Sequence, residues 1–297
     1  MSTQLHEYLA VVKREVEETL EQLVPPADEP PAELHRAIRH SLFAGGKRLR
    51  PALVIAATEA CGGARAKAMA VACAIEMIHT SSEIHDDLPC MDDADLRRGQ
   101  PACHRLFGEA TAVLAGDWLM TTPFRLVAES AARGDLSPQA GLAIIGEMGA
   151  ALGSEGLIAG QVVDLAQEGK PADDAVVDYL YSHKTGALIT ASVRCGGLVA
   201  GAKPEQMLSL THYGQLLGRA FQIADDILDA TASQAQLGKP VASDARHEKA
   251  TYLALHGLEA ARAEAARLAE EAQGALRPWC PDSPLIALAD YAVTRNY

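Results

Sequence analysis

A chain of 297 residues with 39 acidic and 26 basic side chains has a formal charge of −13. That excludes the broad basic surface that nucleic acid or an anionic membrane would require. Hydrophobic residues make up 48% but aromatic residues only 4%, so the apolar content is mostly aliphatic and Ala, ample for a core and biased toward helix.

The periodicity predicts helices over 4–22, 32–43, 50–61, 65–87, 109–132, 137–152, 155–168, 173–200, 204–231, 249–274 and 283–295. The first of these carries charges throughout and does not read as a signal peptide. Pro25, Pro26, Pro30 and Pro31 mark a loop after it. Gly62-Gly63, Gly134-Asp135, Gly169-Lys170-Pro171 and Gly201 stand where helices should stop. The most apolar stretch, Gly186 to Gly201, is interrupted by Arg194, so no membrane span is expected. Strict alternation of apolar and polar residues is absent, and no sheet is predicted. The segment 232–248, with Gly238 and Pro240, reads as a long loop. No linker divides the chain, which reads as one all-α domain over 1–297. Six cysteines without a CxxC pair suit free thiols in a reducing cytoplasm.

Two acidic clusters stand out. In HDDLPCMDDAD, from His85 to Asp95, five carboxylates follow the end of an apolar helix. Asp86 and Asp92 would not share a face of a continuous helix, but Pro89 breaks it and lets the chain curl Asp92 back. Acids there also oppose the helix dipole, so the cluster is costly unless cations neutralise it. The plain alternative is a solvated loop. In FQIADDILD, from Phe221 to Asp229, Asp225 and Asp229 lie one turn apart with Asp226 beside them, in apolar surroundings that do not suit a solvated face. All-oxygen donors select hard cations, and Mg²⁺ binds through one or two carboxylates plus substrate phosphates. Two such clusters therefore imply a Mg²⁺-bridged phosphate ester between two helices.

The basic segment GGKRLRP, from Gly45 to Pro51, precedes a helix whose first position is Pro51. Three cations at a helix N-terminus oppose the dipole, a conflict that a bound anion relieves. Its alternative is an ordinary charged loop. Arg97-Arg98-Gly99, Lys184-Thr185-Gly186, Lys239 and Lys249 add cations near the acids. Together they suggest two phosphate sites, one bridged by metal and one held directly by Lys and Arg. GxSxG, HExxH, GxGxxG and P-loop patterns are absent.

Taken together these motifs resemble the trans-isoprenyl diphosphate synthases, or polyprenyl synthetases. The resemblance spans GGKRLRP, EMIHTSSEIHDDLPCMDD at Glu76–Asp93, LRRG at Leu96–Gly99, FGEATAVLAGD at Phe107–Asp117, GQVVDL at Gly160–Leu165, HKTGAL at His183–Leu188, FQIADDILD, and GKP at Gly238–Pro240. It implies the isoprenoid synthase fold, about a dozen helices around a deep cavity, in a homodimer. Asp86, Asp87 and Asp92 would bind Mg²⁺ on an allylic diphosphate (dimethylallyl, geranyl or farnesyl). Asp225, Asp226 and Asp229 would hold further Mg²⁺ from the opposite wall, for about three ions with substrate bound. Arg97, Lys184 and Lys239 would contact the same diphosphate, with Gln222 close by. Lys47, Arg50, His79 and Arg98 would bind isopentenyl diphosphate, and Lys249 matches a family lysine near a closing loop. The implied reaction ionises the allylic C–O bond. Backbone carbonyls at Lys184 and Thr185 face the carbocation, isopentenyl diphosphate attacks it, and the released diphosphate takes the proton.

Product length in this family depends on what fills the cavity beneath the first acidic motif. Ser81 and Ser82 stand where shorter-product members carry an aromatic residue, which favours geranylgeranyl diphosphate, with farnesyl diphosphate as the variant product. Met77, Ile78 and Trp118 are candidates for the cavity floor. Glu83 replaces the usual leucine, and Ser243 stands where many relatives have lysine. A Mg²⁺-dependent terpene cyclase would share the acidic motif but would not need GGKRLRP. A phosphohydrolase built on His85-Asp86 would leave Asp225–Asp229 unexplained. A non-catalytic helical scaffold should tolerate degraded motifs, and neither is degraded.

Overall fold

In the computed structural model, which describes residues 3–171, 173–231 and 249–295, helix α1 (Thr3–Leu23) buries one stripe, Leu5, Val12, Val16 and Leu20, at helical spacing. Helices α2 (Ala32–Leu42), α3 (Leu49–Ala60) and α4 (Arg65–Asp86) follow. Almost every residue of α3 from Leu49 to Thr58 is buried, as in a helix surrounded by others. After α4 come the short helix α5 (Cys103–Phe107), α6 (Glu109–Ala132), α7 (Pro138–Leu152), α8 (Leu157–Gln167) and α9 (Asp174–Leu180). A π-helical turn, Tyr181–Gly186, joins α9 to α10 (Ala187–Ala200), and α11 (Pro204–Thr231), α12 (Tyr252–His256), α13 (Leu258–Leu276) and α14 (Pro284–Thr294) complete the described chain. The main packings set α4 on α6, α3 on α10, α10 on α11 and α11 on α13. This brings α4 and α11, which carry the acidic motifs, to either side of α10.

The all-α expectation holds with corrections: Cys103–Phe107 is a helix outside those predicted, and the π-helical turn interrupts the predicted helix 173–200. Leu96–Arg97 and Gln100–Pro101 pair as a minimal antiparallel hairpin, Leu96 opposite Pro101 and Arg97 opposite Gln100. Its two-residue turn has φ of +53° at Arg98 and +76° at Gly99, the mirror-image turn that matches strand twist. No alternation announces so short a pair. The predicted helix 249–274 is two, α12 and α13, because the chain leaves helical geometry at Gly257. Pro138–Gln167 is apolar enough overall to cross a membrane, but it is broken into helices of 15 and 11 residues, each short of the roughly 20 a span needs.

A buried ion pair fixes the start of α3. Arg48 is 2% exposed, with φ of +50°, and donates to Glu76 Oε1 on α4 (2.8 Å), the Leu42 carbonyl (2.7 Å) and Glu17 Oε1 (3.3 Å). It ties α1, α2 and α4 to the basic loop. Of the three cations in GGKRLRP, Arg48 is thus structural, leaving Lys47 and Arg50 for other work.

Candidate active site

Beyond α4 the chain turns back on itself. The Asp92 amide donates to the Asp86 carbonyl (2.9 Å), and the Met91 and Asp93 amides both donate to the Leu88 carbonyl (2.9 and 3.1 Å). Pro89 has no amide to continue the helix, so the curl expected from sequence forms and sets Asp92 beside Asp86. A ladder of alternating charge follows. Lys184 Nζ lies 3.5 Å from Asp86 Oδ2 and 2.6 Å from Asp164 Oδ2. Lys249 Nζ lies 3.4 Å from Asp164 Oδ2 and 3.2 Å from Asp92 Oδ1. Burial raises the Asp86 carboxyl above its ordinary range. It would raise Asp164 too, but Lys184 and Lys249 hold that carboxyl below the usual range.

Asp87 takes a different partner. It is 2% exposed and is gripped by the Arg97 guanidinium through Nε (3.1 and 3.2 Å) and Nη2. Asp87 and Arg97, read from sequence as a metal ligand and a diphosphate contact, satisfy each other here. The reason is their position: Asp87 ends α4 directly beneath the Leu96–Pro101 hairpin.

The second acidic motif lies on α11. Asp226 accepts from the Tyr181 hydroxyl and from Gln222 Nε2 (3.1 Å), while Gln222 Oε1 accepts from Thr185 Oγ1 (2.6 Å). Asp225 accepts from Arg295, whose guanidinium lies 3.7 Å from the centroid of the Phe221 ring. Asp226 and Asp229 are buried, at 3% and 5% exposed. The π-helical turn therefore links the two acidic walls. Lys184 reaches Asp86, and its neighbour Thr185 reaches the Gln222–Asp226 pair. The turn fits only because Gly160 and Gly218 flank it: an added Cβ would lie 2.3 Å from the Lys184 amide nitrogen and 2.6 Å from Gly186 Cα.

The basic site forms around α3 and α4. Arg50 Nε is buried and lacks a hydrogen-bond partner among the described residues. Lys47 lies over the Tyr291 ring, and burial, with Arg295 nearby, lowers its ammonium to about 8. Burial, together with Arg50, lowers His79 to about 4. Arg98 donates to Glu83 Oε2 (2.7 Å) and to the Gly45 carbonyl. Lys239 and Ser243 lie outside the described residues.

Residues 31–277 match the family model described as Polyprenyl synthetase. The chain belongs to the polyprenyl synthetase family. It is 47% identical over 270 residues to the chloroplastic geranylgeranyl pyrophosphate synthase of Catharanthus roseus, a match covering 90% of this chain and 75% of that one. A solved FPP/GFPP synthase from Zymomonas mobilis superposes with a TM-score of 0.87 at 34% identity, covering 99% of this chain and 100% of that one. A geranyltransferase from Helicobacter pylori, solved with magnesium and isoprenyl diphosphate, gives a TM-score of 0.81 at 33% identity, covering 96% of each.

The site suits a hard divalent cation of the kind that solved structure contains. Its donors are carboxylate oxygens, two of them buried on α11 among apolar residues. Among the described residues no three His, Cys, Asp or Glu side chains form a ready-made ligand group. Mg²⁺ commonly takes one or two carboxylates, with phosphate oxygens completing its shell. Three polar contacts of this polyprenyl synthetase site have no counterpart in the sequence reading. Asp164 lay within GQVVDL without an assigned role. Tyr181 is 45 residues from Asp226, with no local pattern that suggests their tie. Arg295 is 70 residues from Asp225. Only Asp164 had a usable signal, a lone carboxylate in an otherwise apolar helical run.

Proposed function

We propose that this chain joins isopentenyl diphosphate head-to-tail to allylic diphosphates, forming geranylgeranyl diphosphate. One observation carries the reading: consecutive residues of the π-helical turn reach both acidic walls, Lys184 to Asp86 and Thr185 to the Gln222–Asp226 pair. A single diphosphate between those walls would meet carboxylates on both sides and lysines at its edge.

Asp86 and Asp92 on one side, and Asp225, Asp226 and Asp229 on the other, would hold Mg²⁺, which neutralises a departing diphosphate. Lys184 and Lys249, held by Asp164, add fixed positive charge where the leaving group develops its own charge. Asp87 keeps Arg97 at the rim of the same site. Lys47, Arg50 and Arg98 hold the second diphosphate so that its double bond stands at near-attack distance. Met77 and Ile78, fully buried on α4, keep water from a carbocation. The released diphosphate accepts the proton, so no side-chain base is required.

Below the first motif, Ser81 is fully buried and bonds the Ile78 carbonyl (2.7 Å), while half-buried Ser82 bonds the His79 carbonyl (2.8 Å). Neither hydroxyl fills the space of an aromatic ring. Trp118 on α6 packs against the core that includes Met77 and Ile78. Incubation with isopentenyl diphosphate and Mg²⁺, with dimethylallyl, geranyl or farnesyl diphosphate supplied separately, should give a twenty-carbon product from each primer. Ser81→Phe and Ser82→Phe should shift it to fifteen carbons. A wild-type product that always stops at fifteen would overturn the length assignment, and phosphate release without elongation would overturn the reaction.

Exposed Leu106, Val113, Leu114 and Leu142 lie on the neighbouring helices α5, α6 and α7. Large apolar side chains left exposed on adjoining helices favour a second copy of the chain. Sedimentation should report twice the 31.4 kDa chain mass, and Leu114→Asp should return the monomer. The six free thiols support placement in the reducing cytoplasm.

A further inference from the structure

His79, Glu83 and Asp87, four residues apart, line one face of α4. The hairpin turn stands opposite with one arginine for each acid: Arg97 on Asp87, and Arg98 on Glu83 at 2.7 Å. Glu83 Oε1 is also 3.8 Å from His79 Nε2. Burial alone would raise the Glu83 carboxyl, but His79 and the guanidinium groups of Arg98, Arg97 and Arg50 bring it down to about 2. It is therefore ionised wherever the enzyme works. His79, lowered to about 4, is uncharged at neutral pH, where the guanidinium groups alone favour the Glu83 carboxylate. The basic site thus presents Lys47, Arg50 and Arg98, with Arg98 already matched by a carboxylate of the same chain. The Arg98 guanidinium is fixed from its other side by the Gly45 carbonyl, so its placement does not rest on Glu83 alone.

We propose that Glu83 is an internal counter-ion of the isopentenyl diphosphate site, pairing with Arg98 in the free enzyme and weakening the hold on the incoming diphosphate. The proposal rests on the reading of that site given under Proposed function. A diphosphate that takes Arg98 must draw it from Glu83, and then sits beside a fixed negative charge in a mostly buried pocket, where like charges are poorly screened. Glu83 touches no reacting atom. It is a positioning residue that sets affinity through Arg98.

Glu83→Gln removes the charge but keeps the length and an acceptor for Arg98. Its KM for isopentenyl diphosphate should fall about fivefold, while the KM for the allylic primer moves less. Inhibition by inorganic pyrophosphate, competitive with isopentenyl diphosphate, should strengthen in parallel. Glu83→Leu should shift in the same direction, and if it fails to fold, Glu83→Gln decides. Calorimetric titration with isopentenyl diphosphate separates the two readings. A wild-type chain that binds none of it overturns the site assignment and this proposal together. A wild-type chain that binds, with a Glu83→Gln variant binding no more tightly, overturns this proposal alone.

Discussion

Replacing Asp86 by Asn should lower kcat for condensation about a thousandfold, and replacing Asp164 by Asn about a hundredfold, with helical content unchanged in both. The two losses differ in origin. Asp86 lies on the wall that would meet metal and leaving group, so its loss removes charge at the reacting end of the substrate. Asp164 is one step removed. Its Oδ2 takes Lys184 at 2.6 Å and Lys249 at 3.4 Å, and without that charge two largely buried ammonium groups must share Asp86 and Asp92. Each lysine would then move toward the carboxylates needed for the cation. Steady-state kinetics against Mg²⁺ concentration tells them apart. Asp164→Asn should recover part of its rate at high Mg²⁺, as added cation competes with the lysines, whereas Asp86→Asn should not. Equal and Mg²⁺-insensitive losses would remove Asp164 from this role.

Arg48→Met should lower the melting temperature by about 10 °C. Removing one member of a buried pair costs about 3–5 kcal/mol, because the remaining charge is stranded, and each kcal/mol is worth roughly 2–4 °C in a large domain. Here the stranded group is Glu76, 2% exposed on α4. The double variant Arg48→Met with Glu76→Met should regain most of the loss, since apolar side chains of similar volume tolerate the same space. Differential scanning calorimetry on the wild-type chain and the two variants measures this directly. A double variant no more stable than Arg48→Met would mean that the tie to the Leu42 carbonyl, rather than the ion pair, holds the loop.

What the sequence disclosed follows from how local each cause is. Pro89 sits between Asp86 and Asp92, so the curl that joins them could be foreseen from a few residues. The same holds for Asp225, Asp226 and Asp229, which share one turn of an apolar helix. Asp87 and Arg97 are ten residues apart, yet their mutual grip depends on a hairpin too short to leave an alternating pattern. Arg295 and Asp225, or Tyr181 and Asp226, meet only because α11 packs against elements far away in the chain. The break at Gly257 was hidden because apolar spacing continues across it into α13. Glu83 was visible as an oddity, but its meaning required the position of Arg98.

The six-residue π turn has a consequence for the helices on either side of it. One residue beyond an α-helical turn advances the chain by about 100° of rotation. α9 and α10 therefore form one nearly continuous rod, turned at the junction relative to a regular helix. Before the turn, Val177 and Leu180 join the cluster around Ile223 and Leu268. After it, Ile189 and Val193 join the cluster around Leu53 and Leu217. The turn that carries Lys184 and Thr185 to opposite walls thus also couples two interiors, since a shift of α9 against its own cluster would be passed through it to α10 and the other.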